Sequence, residues 1–192
     1  MDGTFVSADS EWLREPTWRV DGDELVMDAD EGSDLWRHTS YGFVRDSAHA
    51  LLRPIAAGQA CEVDVHASMS GQFDQAGLLL RVDERLWLKA GLELADGRLG
   101  LGVVMTDGRS DWSTAPVDDW SGTWVRIRVS VADDSVTVRA RPEGGDWQLV
   151  RLVPFDTSRP ALAGPYAAAP SRSGWTARFR DLATTAADDA LH

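Results

Sequence analysis

The chain has 192 residues and a single cysteine, Cys61. One thiol excludes an internal disulfide and a cysteine-based structural zinc site. Its slot in an alternating apolar pattern predicts a small buried side chain rather than a reactive one. Long hydrophobic runs are also missing. Stretches such as Ala76 to Leu80 are far too short to span a bilayer, so no membrane insertion is expected. The N-terminus, Met1-Asp2-Gly3-Thr4, has no basic region followed by an apolar stretch and does not read as a secretory signal, which makes the cytoplasm the expected location. Basic runs are absent as well. Acidic residues outnumber basic ones by 31 to 19, for a formal net charge of -12. A surface of that sign repels phosphate backbones, so nucleic acid is not an expected partner. The charge reads instead as a device for solubility or for a high-salt cell.

Several catalytic signatures are missing too. There is no Gly-x-Ser-x-Gly elbow, no phosphate-cradling glycine loop and no dinucleotide fingerprint. His38 and His49 are spaced for neither a helical nor a compact strand ligand pair, and no His-Glu-x-x-His cluster occurs, so no transition-metal site and no cofactor are expected. The many aspartates leave open a calcium ion at a sheet edge.

What the sequence does contain is alternation. Cys61, Val63, Val65, Ala67 and Met69 alternate with Glu62, Asp64, His66 and Ser68. From Leu86 to Leu94 the even positions are apolar, while Trp87, Lys89, Gly91 and Glu93 take the other face. Leu99 to Thr106 sends Leu99, Leu101, Val103 and Met105 one way and leaves Gly100 and Gly102 opposite, a shallow trough of the kind found where a ligand or another backbone approaches. Further strands read at Thr17 to Val20, Glu24 to Ala29, Val125 to Val131, Ser135 to Arg141, Trp147 to Val153 and Trp175 to Leu182, with Asp21-Gly22 and Asp96-Gly97 as hairpin turns. Period two in many short segments predicts an all-β sandwich of two antiparallel sheets, residues 1–182 forming one domain and residues 183–192 a frayed tail with little to bury. Leu86, Leu88, Leu92, Val63, Val65, Ile127 and Val129 are the expected core between the sheets.

Three segments carry a family resemblance: Asp34-Leu35-Trp36-Arg37-His38-Thr39-Ser40-Tyr41-Gly42-Phe43, then Asp74-Gln75-Ala76-Gly77-Leu78 running on to Trp87 through Glu93, then Val103 through Ser113 with Asp107-Gly108-Arg109-Ser110-Asp111-Trp112 inside it. In this order and spacing, from Trp12 to about Leu182, the chain resembles the DUF1349 family, also called regulation-of-enolase-like. The resemblance implies a concanavalin A-like jelly-roll sandwich. Two positions depart from the pattern. Ser40 stands where a histidine is expected before Tyr-Gly, so a role for an imidazole there does not carry over, and Met105 interrupts a usual Val-Val-Thr run with an apolar substitute.

The polar face of the Trp87 to Glu93 strand presents an aromatic ring, a cation and a carboxylate at alternate positions. Lys89 and Glu93 lie about 13 Å apart along an extended strand and need separate partners. Gln75, Arg81, Trp87, Lys89, Glu93 and Thr106 are expected on one sheet face, with Arg81 pairing Glu93 or meeting a ligand. A solvated ladder of ion pairs and a ligand groove both fit that face. Trp36 and Trp112 join Gln75, Arg81, Trp87 and Thr106 as candidate ligand-binding residues, although Trp112 also fits the core and Asp111 a structural turn. Glu93, Lys89, Asp111, Tyr41 and His38 are the candidate catalytic set. The leading expectation is binding of a small polar or carbohydrate-like ligand on the concave sheet face. The alternatives are an acid/base hydrolase, lyase or isomerase acting on a similar molecule in the same groove, and a regulatory protein docking on a metabolic enzyme, as the family's name implies. The oligomeric state stays open, an exposed tryptophan being one way to mark a dimer patch.

Overall fold

The computed structural model describes residues 5–191; Met1 to Thr4 and His192, the last residue of the expected frayed tail, lie outside the described residues. Strands follow in chain order as β1 (Glu11–Leu13), β2 (Thr17–Asp21), β3 (Glu24–Ala29), β4 (Leu35–Arg37), β5 (Val44–Asp46) and β6 (His49–Ile55). Next come β7 (Gln59–His66), β8 (Gln75–Arg81), β9 (Leu86–Ala95), β10 (Arg98–Asp107) and β11 (Arg109–Pro116). After a short 3-10 turn at Asp118–Trp120 the chain forms β12 (Trp124–Val131), β13 (Ser135–Pro142), β14 (Gln148–Pro154), β15 (Ala161–Ala168) and β16 (Trp175–Ala186).

Two seven-stranded antiparallel sheets result, ordered β1-β6-β15-β8-β9-β10-β11 and β14-β13-β12-β7-β16-β3-β2. Sequence neighbours repeatedly lie in different sheets, as in a jelly roll. Their inner faces bury Leu86, Leu88 and Leu92 against Val63, Val65, Ile127 and Val129, the core the alternation predicts. Cys61 belongs to the same core, where burial pushes its thiol up to about 12 and so suppresses the reactive thiolate. Asp96 and Gly97 both take positive φ, 52° and 75°, the backbone a two-residue hairpin needs to match strand twist.

Two strands of the first sheet escape a reading by alternation. β6 and β15 are buried on both faces and so read as near-continuous apolar runs. Pro165 fits in β15 because pairing to β6 runs from Ala161 opposite Ile55 to Ala163 opposite Arg53 and resumes only at Tyr166 opposite Ala50. The missing proline N–H therefore falls in a gap of the ladder. Residues 109–116 also form a full strand, β11, paired along β10 from Asp107 opposite Arg109 to Gly100 opposite Pro116.

The expected frayed tail is corrected. β16 continues to Ala186, its last four residues paired with β7 after a register shift between Arg180 and Ala183. Asp188 then accepts ion pairs from Arg128 at 2.7 Å and Arg139 at 3.0 Å, and its backbone N–H donates to Ser130 Oγ at 2.8 Å. The tail buries little apolar surface, but the outward arginines of the second sheet hold it. They form a ladder on that face: Glu62 pairs with Arg126 and Arg128, and Asp64 with Arg126 and Arg180.

Leu92→Ala, which removes a fully buried side chain between the sheets, is expected to lower unfolding free energy by about 2–5 kcal/mol. Urea denaturation checks this, and an unchanged midpoint would mean that Leu92 is not in the core.

Candidate functional site

The outer face of the first sheet is fixed by register. Gln75 lies opposite Glu93, Leu79 opposite Lys89 and Arg81 opposite Trp87, while Lys89 lies opposite Val104 and Trp87 opposite Thr106. Side chains on directly opposed residues share a face. Gln75, Arg81, Trp87, Lys89, Glu93 and Thr106 therefore all project the same way.

A hairpin covers part of that face. β4 and β5 pair from Leu35 opposite Asp46 to Arg37 opposite Val44 and lie over the sheet, so that Leu35 and Trp36 pack with Leu79, Trp87, Val104 and Tyr166 in a second hydrophobic cluster. Three polar ties hold it down. Arg81 forms a bidentate pair with Asp46 at 2.8 and 2.9 Å. Ser110 Oγ, itself 2.8 Å from Thr106 Oγ1, accepts the Arg37 backbone N–H at 2.9 Å. Lys89 Nζ donates to Gln75 Oε1 at 2.6 Å and to Asp34 Oδ1 at 3.3 Å. Lys89 is only 5% exposed. It reaches Gln75 because Gly77 and Gly91, opposite each other on the same face, put no side chain in the way.

The hairpin stops short of one end of the face and leaves a pocket of about 470 Å³. Its floor is Gln75, Lys89, Glu93 and Val104. Asp34, Trp36, Tyr41, Phe43 and Arg45 wall it on the hairpin side, with Trp112 from β11 and Phe73, Pro170 and Ser171 from loops completing the rim. Tyr41 is 61% exposed, stacks on Phe43 with ring centroids 5.4 Å apart, and meets Trp36 edge-on at 5.6 Å. Arg45 lies 5.0 Å over the Phe43 ring. The trough at Gly100 and Gly102 is filled by β11 side chains: a Cβ at Gly102 would come within 3.3 Å of the Trp112 indole nitrogen. Trp112 is 38% exposed and walls the pocket rather than joining the core.

The pocket's acidic groups differ in their bonding. Asp34 Oδ1 accepts from the Leu35 N–H, Lys89 and Gln75 at 2.7, 3.3 and 3.5 Å, while among the described residues no group donates to Oδ2. Among the described residues the half-buried Glu93 carboxylate accepts no hydrogen bond and forms no ion pair. Burial raises its proton affinity, the Lys89 charge opposes the shift, and the Asp34 charge reinforces it. Tyr166 is buried in the same outer-face cluster, and desolvation, with the charges of Glu93 and Asp34, pushes its hydroxyl well above the ordinary tyrosine value, so it stays neutral.

The structure brings Gln75, Lys89, Glu93, Trp36, Tyr41 and Trp112 to one pocket and separates the other candidates from it. Trp87 is 0% exposed beneath the hairpin and offers no ring to a ligand. Arg81 pairs with Asp46, not Glu93, because Glu93 lies opposite Gln75, six residues further along. Thr106 is fully buried and serves the hairpin tie. Asp111 alternates with Trp112, so it points to the other face, where it is exposed and pairs with Arg151 at 2.8 Å. His38 is a hairpin-loop residue at φ 62°; its N–H donates to the Phe43 carbonyl at 2.7 Å, and its side chain does not line the pocket. Among the described residues no group of three or more His, Cys, Asp or Glu could hold a metal ion. Sequence reasoning missed Phe43, Arg45 and Phe73 as lining residues. The Tyr-Gly-Phe signal of the first motif is the one hint of the aromatic wall.

This architecture defines a jelly-roll sandwich of two antiparallel sheets; the legume lectin-like domain from Entamoeba histolytica shares the fold, superposing with a TM-score of 0.65 at 8% identity and covering 94% of this chain and 91% of that one. Residues 12–187 match the family described as "Protein of unknown function (DUF1349)", and the chain belongs to that family. It is 38% identical over 188 residues to "Regulation of enolase protein 1" of Saccharomyces cerevisiae, covering 94% of this chain and 92% of that protein. A crystal structure of a functionally unknown protein from Saccharomyces cerevisiae has a TM-score of 0.87 at 37% identity, covering 93% and 96% of the two chains. Among the described residues no helix is long and apolar enough to cross a membrane.

Two outcomes follow from the polar network. Lys89→Ala leaves Gln75 Oε1 and Asp34 without their cation and is expected to destabilise the fold by about 1–3 kcal/mol, readable by urea denaturation. Glu93 has the opposite character. Its folded pKa lies above the ordinary 4.5, so its favourable contribution is fully present below that value and is lost as pH rises through the folded pKa. Thermal melts from about pH 4 to pH 7 should therefore show Glu93→Gln gaining on the parent protein as pH rises. A constant difference between the two would show that Glu93 is not desolvated.

Proposed function

We propose that this protein binds a small hydroxylated, carbohydrate-like ligand in the pocket between the hairpin and the first sheet. The observation that carries this reading is the lining itself: exposed aromatic rings of Tyr41, Phe43 and Trp112 share one pocket with two carboxylate acceptors, Asp34 on the wall and Glu93 on the floor, and with the Lys89 ammonium. A polyol needs that pairing. Its hydroxyls donate to the carboxylates and accept from an ammonium, while its C–H faces stack on rings. The pocket volume of about 470 Å³ suits a small molecule rather than a long chain. The expected setting is the cytoplasm, and the acidic surface argues against nucleic acid as a partner.

Catalysis in the same pocket has less support. Glu93 could hold or release a proton, but Asp111 and His38 lie outside the pocket, and Lys89 is committed to Asp34 and Gln75. A regulatory role accords with the name of the yeast relative, and ligand binding is compatible with it.

Trp112→Ala removes a ring that lines the pocket but not the core. Against a panel of simple sugars by calorimetry, the parent protein is expected to bind at least one at about millimolar affinity or better, and the variant to lose roughly ten-fold while keeping its melting temperature. Absence of binding across the panel would sink the proposal. An NMR spectrum of the bound sugar that changes with time would replace it with catalysis.

A further inference from the structure

The charged groups lining the pocket are not all paired with one another. Four charged side chains line it: Asp34, Arg45, Lys89 and Glu93. Asp34 and Lys89 neutralise each other across 3.3 Å. Arg45 is exposed and engaged over the Phe43 ring. The Gln75 amide cannot serve Glu93, since its Nε2 donates to Asp34 and to the Phe73 carbonyl at 3.3 Å and its Oε1 accepts from Lys89. Tyr41 and Tyr166, the tyrosines near Glu93, carry no positive charge in either form. Glu93 is thus a half-buried carboxylate that no described residue bonds, in a pocket walled by exposed rings.

Resting on the reading of the pocket as a site for a hydroxylated ligand, we infer that this ligand carries a primary ammonium group, as in an amino sugar or amino polyol, which the Glu93 carboxylate receives beside the rings of Tyr41, Phe43 and Trp112. An ammonium donates charge-assisted hydrogen bonds to a carboxylate. The same group is attracted by the faces of aromatic rings. A neutral hydroxyl would bring no charge to Glu93, and an anionic ligand would meet two carboxylates, with Lys89 committed to Asp34 and Arg45 engaged over the Phe43 ring. Binding also couples to protonation. Asp34, Tyr41 and Arg45 on the hairpin side, Lys89 on the same strand and Tyr166 two strands away are ionisable groups near Glu93. With those fixed, an ammonium favours the ionised form of Glu93, so binding releases a proton to the buffer wherever the raised pKa leaves Glu93 partly protonated.

The test is calorimetry with glucosamine, galactosamine and mannosamine against their neutral parents and N-acetyl derivatives, with serinol as an amine that is not a sugar. At least one free amine is expected to bind about ten-fold more tightly than its neutral parent and its N-acetyl derivative. Glu93→Gln should erase that preference, the free amine then binding no more tightly than its neutral parent. Proton release, read as a dependence of the heat on buffer ionisation enthalpy, should accompany amine binding at the acidic end of a pH series and vanish in Glu93→Gln. A neutral parent bound as tightly as its amine, or a preference that survives Glu93→Gln, overturns the ammonium inference and leaves the carbohydrate reading standing. Serinol bound with no sugar bound overturns the carbohydrate reading and keeps the ammonium inference. No binding by any probe overturns both.

Discussion

Lys89 places an ammonium group almost out of water on the outer face of a sheet, and much of the local structure follows from the need to satisfy it. Taking a cation out of water costs several kcal/mol unless hydrogen bonds and an opposite charge replace its hydration. The sheet supplies Gln75 and the hairpin supplies Asp34. Because one partner lies on each, the ammonium is satisfied only while the start of the hairpin is docked. Asp34 is fixed in turn by its own chain: its carbonyl accepts the N–H groups of Ser47 and Ala48, and its N–H donates to Ser47 Oγ at 3.1 Å. The same residue thus closes the hairpin base and anchors it to the floor.

Once docked, the hairpin divides the outer face in two. Over Trp87, Leu79 and Tyr166 it excludes water and builds a second apolar cluster, with the Arg81–Asp46 pair and the Ser110 bond at its margins. Beyond its edge the face stays open, and there the aromatic residues of its loop, Tyr41 and Phe43, stand beside the floor that carries Lys89 and Glu93. Pocket and clamp therefore share residues. The ion pairs on the second sheet play a different part. Arginines and carboxylates there satisfy one another across β7, β12, β13 and β16 and tie down the C-terminal segment.

Much of the sandwich was legible in the sequence because one-face burial writes itself as alternation. Val63, Val65, Leu88 and Ile127 point inward by the pleat alone. β6 and β15 were not legible by that rule, since a strand buried on both faces carries no alternation to read. The shared face of Gln75, Lys89 and Glu93 was legible for the same reason as the core. Its cover was not: nothing local in Leu35-Trp36-Arg37 says that these residues lie over Trp87 rather than beside solvent.

From the sequence alone came the fold class, the inner core, the outer-face row and the exclusion of disulfide and membrane-helix chemistry, all of which depend on short-range pattern and composition. Only the tertiary structure decided which members of that row meet solvent. Trp87, Arg81 and Thr106 went to the hairpin clamp, and Glu93 and Trp112 went to the pocket. The physical reason is that pattern fixes the face on which a side chain projects, whereas its burial depends on which distant segment packs over that face, and here that segment is held by contacts more than forty residues apart in the chain, Asp34 to Lys89 and Arg37 to Ser110.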